Sequence, residues 1–149
     1  SPKGIISRSF NIGTIRLLND AVDQSTWDDM RRWVEKHKTD ILKPIIVGSG
    51  GNINKVLKIL QVPRYMPIHF DRIWGFYQSI KKMSLVERMK AHRLKVDRAD
   101  VIEPATRIFI NIMTWSGAEN IYIPKIGLSD GIIREIYAEA HNEDNQDIS

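Results

Sequence analysis

Gly48, Gly50 and Gly51 separate two apolar patterns that cannot run through them. Before them stands the short run Pro44-Ile45-Ile46-Val47; after them Ile53, Val56, Leu57 and Leu60 recur at helical spacing. A buried strand bounded by Pro44 and Gly48 followed by an amphipathic helix accounts for both patterns. Glycine supplies the tight turn between them, because it reaches positive φ and lets other groups approach the backbone. Strand, glycine turn and helix together place the chain among α/β folds. The turn has two readings. It is a plain connection, or it is a cradle in which backbone amides and a helix N-terminus meet an anion. Residues 48–52 contain no G-x-G-x-x-G, and no Lys-Ser/Thr pair follows as a P-loop requires. Ser49 and Asn52 offer side-chain hydrogen bonds, and Lys55 stands one turn into the helix.

The remaining pattern alternates in the same way. Ile6, Phe10 and Ile12 lie on one face of a strand spanning Ile5 to Ile12. The segment Ser25 to Leu42 predicts a helix, capped by Ser25 or Thr26, with Asp28 and Asp29 in its first turn and a stripe of Met30, Trp33, Val34, His37 and Ile41. Pro63 and Pro67 bracket a loop, after which Ile73, Trp74, Tyr77 and Ile80 mark a further helix. Ser84 to Glu87 reads "SLVE", a capping box. A broad apolar face from Val101 to Trp115 predicts a long helix, in which Pro104 either falls in the first turns or causes a kink. "NIYIP" predicts a second buried strand ended by Pro124, and Gly127 to Ala140 a last helix that Ser129 caps. Residues 1–141 then form one α/β domain, and the polar residues 142–149 a disordered tail.

With 149 residues the chain is long enough for a substantial core, and its 42% apolar and 27% charged residues fit a water-soluble globular protein. It contains no cysteine, which removes disulfides, thiol chemistry and cysteine-ligated zinc and suits a cytoplasmic location. No run approaches the roughly 20 apolar residues of a membrane helix, and the N-terminal residues carry no secretory pattern. The absence of an initiator methionine suggests a piece of something longer.

The net charge of +4 is small but uneven. Lys81, Lys82, Arg88, Lys90, Arg93, Lys95 and Arg98 are opposed in that stretch only by Glu87 and Asp97. Such a cluster is either a salt-bridged outer face of helices or an attractor of polyanions, nucleic acid included. A nucleic-acid module is disfavoured, because base-reading motifs are missing and the tryptophans fall at helical spacing, as core residues do. His37, His69, His92 and His141 form no metal-ligand spacing, and no serine stands on a nucleophile elbow. No catalytic residue and no metal site is therefore assigned within this chain.

Four stretches in order, "SRSFNIGTIRLLND", "IIVGSGGNINKVLKIL", "DRADVIEPATRIF" and "IGLSDGIIREI", resemble the second half of the exopolyphosphatase and guanosine pentaphosphate phosphatase (Ppx/GppA) family. The likeness runs from about Ser7 to about Tyr137. It implies a ribonuclease-H-like domain of the actin-like and sugar-kinase superfamily, with a partial mixed sheet and flanking helices. In such proteins two domains close over a phosphate-bearing ligand, here inorganic polyphosphate or a guanosine polyphosphate. The present chain would be most of the second domain. The N-terminal domain, the catalytic glutamate and the first phosphate loops would lie outside it, as would most ligands of the expected magnesium.

By this resemblance Gly48, Ser49, Gly50, Gly51 and Asn52 match a cleft-facing phosphate or nucleotide loop, Gly13 and Arg16 a G-x-x-R segment, and Arg98 and Asp100 an R-A-D segment. Asn52 replaces the family's threonine, and Ser129-Asp130 stands where the family has arginine and an acidic residue. The fragment alone would be inactive, and a homodimer through an exposed sheet edge is a further expectation. A non-catalytic sensor of the same polyphosphates is the alternative, since the loop would look the same.

Overall fold

The computed structural model describes residues 4–38, 43–63 and 65–124. The expected last helix with Ser129 and Asp130, the tail 142–149, Ile41 and His141 all lie outside the described residues. Within them the order is α1 (Thr14–Leu18), α2 (Gln24–His37), β1 (Ile46–Val47), α3 (Gly51–Ile59), β2 (Ile68–His69), α4 (Phe70–Lys82), α5 (Leu85–His92), α6 (Val96–Ser116) and β3 (Asn120–Tyr122). The strands form a small mixed sheet in the order β1-β3-β2, with β1 parallel and β2 antiparallel to β3. Ile121 of β3 pairs with Ile46 on one side and Ile68 on the other. An α/β architecture of helices around a partial mixed sheet is thus as the sequence implied.

Helix α6 is the centre of the packing, and each of the five other helices touches it. At about 100° per residue, Ile102, Phe109, Ile110 and Met113 fall on one side of α6 and Ile108, Ile112 and Trp115 on another. The first side joins Ile53, Val56, Ile68, Ile73, Ile80 and Ile121 in the main core. The second meets Ile12, Leu17 and Met30, with Trp27 edge-on to Trp115 at 6.2 Å. Pro104 lies well inside the helix rather than in its first turn, and the helix continues through it to Ser116. The ring deprives the Asp100 carbonyl of its helical donor; Asp100 is exposed, so water can replace it.

The capping box of α5 forms as its sequence predicts: the Glu87 amide donates to Ser84 Oγ and the Ser84 amide to Glu87 Oε2. Several other expectations need correction. Residues 5–12 form no strand: Ile5 and Ile6 are exposed, and only Phe10 and Ile12 are drawn in, against α1 and α2. Alternation alone does not make a strand without a partner to take its backbone hydrogen bonds. Helix α2 is preceded by Asp23 as N-cap, so Ser25 and Thr26 sit inside its first turn and make no cap. Strand β1 is two residues long with Val47 exposed, an edge rather than a buried strand among the described residues. Strand β2 falls where the sequence indicated only a loop before the helix. None of the four tryptophans is fully buried, and Trp74 stacks on Phe70 with its outer face exposed. His37 is exposed too; its Nδ1 donates to the Trp33 carbonyl at 2.8 Å.

Two stability predictions follow from this packing. Ile121→Ala removes a fully buried side chain from the central strand and costs about 2–5 kcal/mol in a denaturant titration. His92 packs edge-on to Phe76, its Nε2 is buried without a partner, and burial pulls its pKa below the usual histidine value. The unfolded chain takes up the proton first, so stability falls as pH drops through about 6.5 and levels off below the folded pKa. Replacing His92 by Gln removes that slope from melting curves recorded across pH 5–8.

Candidate functional site: the glycine turn and a basic groove

The turn after β1 is built by close approach. The Gly48 amide donates to the Tyr122 carbonyl at 2.8 Å, extending the β1–β3 ladder by one residue. A Cβ on Gly48 would stand 2.9 Å from Ile121 Cδ1 and 3.1 Å from Phe109 Cε1, so the position admits no side chain without displacing the core. Gly50 is the N-cap of α3 at φ 117°, a conformation L-residues rarely adopt, and no side chain caps the helix. The amides of the first turn, from Gly51 to Ile53, therefore start α3 without a backbone acceptor among the described residues. Ser49 and Gly50 are exposed beside them.

Onto this turn comes Arg98, from the first turn of α6. Its guanidinium lies over Gly51, with Nη2 3.1 Å from where a Cβ would be, and Nη1 donates to Asn52 Oδ1. The absent Cβ of Gly51 is the space the guanidinium fills. Ala99 next to it is fully buried, which fixes the rotation of α6 and so the direction in which Arg98 leaves the helix. Asp100 points to solvent and holds no ion pair among the described residues. The structure thus joins Gly48, Ser49, Gly50, Gly51, Asn52 and Arg98 in one place. It does not bring Arg16 there. Helix α1 packs through Leu17 with Ile108, Ile112 and Trp115, in the other half of α6; Arg16 is exposed and bonds to no loop residue among those described.

Beyond Arg98 an open groove of about 700 Å³ runs between α3 and the α5–α6 junction, carrying Lys55, Lys58, Arg93, Lys95 and Arg98 against Asp97. Asn54, whose Oδ1 is buried without a partner, and the edges of Leu57 and Leu94 complete it. The first turn of α6 also faces the groove, adding the positive end of a 21-residue helix. Sequence reading noted Lys55 and the basic stretch 81–98 separately but missed that they share a groove. Lys55 and Lys58, three residues apart on one helical face, were the available signal. The basic stretch is also divided in use. Arg88 donates to the carbonyls of Ile80 and Ala99 at 2.9 and 3.4 Å, and Lys81 sits over the Tyr77 ring, so neither is a free cation.

No protein-family model and no curated protein matches the chain. Solved structures do. The type II variant of the Aquifex aeolicus Ppx/GppA phosphatase is similar with a TM-score of 0.63 and 20% identity, over 82% of this chain and 46% of that one. The Aquifex aeolicus member of the Ppx/GppA family gives 0.57 and 23%, over 86% and 47%. A further structure of the Aquifex aeolicus PPX-GPPA enzyme gives 0.59 and 19%, over 81% and 46%. The chain has the fold of part of a Ppx/GppA phosphatase, and it spans just under half the length of those structures.

The two glycines beside the loop's close contacts should respond differently to alanine. Gly48→Ala presses on Ile121 and Phe109 and costs about 1–3 kcal/mol. Gly51→Ala meets only the far end of the Arg98 side chain, so stability changes by no more than about 0.5 kcal/mol while the guanidinium is moved. Urea titration of both variants measures the contrast.

Proposed function

We propose that the chain is the cleft-lining second half of a phosphoanhydride hydrolase of the Ppx/GppA kind. Such an enzyme releases terminal phosphate from inorganic polyphosphate or guanosine pentaphosphate. The observation that carries this reading is the meeting of the R-A-D arginine, Arg98, with the glycine turn at Gly51 and Asn52, two segments 46 residues apart. The fold shared with the Aquifex aeolicus phosphatases supports it. Membership of the actin-like, ribonuclease-H-like superfamily belongs to the same proposal, as does a cytoplasmic, dimeric whole. No helix of the described residues is long and apolar enough to cross a membrane.

In this reading the chain binds and orients; it does not carry the attacking group. Free amides at the start of α3 and the Arg98 guanidinium face a phosphoryl group and offset the charge spread over its oxygens. Arg98, donating to Asn52 Oδ1, rests over the turn beside those amides. Among the described residues no group of three His, Asp or Glu side chains is placed to hold magnesium. In this reading the water-directing carboxylate and most ligands of the magnesium belong to the part of the enzyme outside this chain.

The test is phosphate release, with magnesium, from short-chain polyphosphate and from guanosine pentaphosphate. It compares this chain, the natural protein that contains it, and that protein carrying Gly50→Val. Activity in the natural protein, none in the chain alone, and a loss of about tenfold or more in the variant are the expected results. Circular dichroism melting separates that loss from unfolding, since a β-branched residue at φ 117° carries strain of about 1–3 kcal/mol. Full activity in Gly50→Val would reduce the glycine turn to a connection. Binding of the same compounds without hydrolysis in any form would make the protein a sensor.

A further inference from the structure

We propose that α4 is a dimerisation helix: its solvent-facing side takes the same side of a second copy of this chain, antiparallel, with the two helices crossing at Gly75 and Gln78. The pairing stands on the surface of α4 and needs no reading of the glycine turn. It puts the meeting of two copies at α4 rather than at the sheet edge, where β1 offers the backbone of only two residues.

Helix α4 turns Ile73, Phe76, Tyr77 and Ile80 into the core. At about 100° per residue its opposite side is the row Asp71, Gly75, Gln78 and Lys82. Beside that row lies Trp74, 43% exposed and stacked on Phe70, with ring centroids 6.1 Å apart and 14° between the planes. A tryptophan held in this way on a surface loses little freedom when a partner covers it, which makes it an anchor for protein contact. Gly75 next to it stands in the middle of a 13-residue helix, where glycine weakens the structure relative to alanine. Nothing among the described residues calls for it. Its φ is not positive, and apart from its own helix backbone no atom lies within 4 Å of where its Cβ would be. The missing side chain leaves a low point at which another helix approaches closely. The far flank is low as well, because Ser79 turns its hydroxyl back onto the Phe76 carbonyl at 2.9 Å.

A second copy is the occupant because the row is complementary to itself. Asp71 and Lys82 stand at its two ends, with Gly75 and Gln78 placed symmetrically inside them. Two antiparallel copies, related by a two-fold axis between Gly75 and Gln78, set Asp71 of each against Lys82 of the other and Gly75 against Gln78. A parallel pair would set like charges against each other at both ends. Both charges are available. The Asp71 side chain is 83% exposed with only His69 beside it, and Lys82 is exposed and in no ion pair among the described residues. In the antiparallel arrangement the two Trp74 rings fall on the same flank of the contact, their Cα levels about 7.5 Å apart along the helices. Rings at that offset reach each other, each against the stem of Gln78 from the other copy. A contact made by one 13-residue helix, about 20 Å long, lies at the small end of specific interfaces, so the dimer exchanges with monomer at micromolar concentrations.

The experiment is sedimentation equilibrium of the natural protein that contains this chain, from about 1 to 100 µM, beside its Gly75→Leu, Asp71→Lys, Asp71→Lys/Lys82→Asp and Val47→Lys variants. The unchanged protein passes from monomer toward dimer across that range. Gly75→Leu fills the low point and weakens dimerisation about tenfold or more, while its melting temperature in dilute solution does not fall, leucine being the better helix former. Asp71→Lys weakens it about tenfold, and Asp71→Lys/Lys82→Asp, which restores both ion pairs, returns it to within about threefold of the unchanged protein. A natural protein that stays monomeric throughout overturns the proposal. A dimer indifferent to Gly75→Leu lies elsewhere on the molecule, and one broken by Val47→Lys lies at the sheet edge; either result overturns it. Loss in Asp71→Lys without recovery in the double variant overturns the antiparallel register.

Discussion

Helix α6 cannot be removed or rotated without disturbing every other described helix. Its first turn presents Ala99 to the core, which directs Arg98 outward onto the glycine turn. Ten residues on, Phe109 closes against Gly48 from below. One helix therefore sets both ends of the turn, and the turn's shape depends on the packing of α6 more than on its own five residues. Burial of Ile102, Ile110 and Met113 holds that arrangement, each such side chain contributing about 1.5–3 kcal/mol relative to exposure.

The close fit at Gly48 and the looser one at Gly51 divide the turn into a structural half and a responsive half. Gly48 is buried, hydrogen-bonded to β3 and bounded by rigid apolar atoms. Gly51 is exposed and bounded by a side chain that can swing away. Added volume at Gly51 displaces Arg98, whereas at Gly48 it displaces the core behind the sheet. Asn52 fits this division, because its amide oxygen reaches the guanidinium as an acceptor.

What the sequence revealed was local. The α3 face, the α5 capping box and the long apolar helix α6 are written in spacings of three and four residues, and each forms as read. The edge strands were not legible in the same way. Strands β1 and β2 are two residues each and exist because β3 supplies partners some 50 to 75 residues distant in sequence. The alternating segment 5–12 shows the converse, a strand-like pattern with no partner among the described residues. For the site, glycine spacing marked the turn, but only the fold places Arg98 on it and Lys55 across from Arg93. The resemblance in motif order supplied Arg98 and Arg16 alike; the structure accommodates the first at the turn and not the second, because Leu17 anchors α1 to the far half of α6.

The two sides of α6 also have unequal depth. Among the described residues the side facing the sheet joins fifteen that are buried, while the side facing α1 and α2 gathers three, Ile12, Leu17 and Met30. Among the described residues the smaller cluster shares only α6 with the larger, so opening of α1 and α2 leaves the packing of the sheet, α3 and α4 in place. Amide protons of α2 would then exchange with solvent through a sub-global opening, and those around Ile121 only through complete unfolding. The glycine turn is anchored through the Gly48 amide to the part of the described residues that opens last.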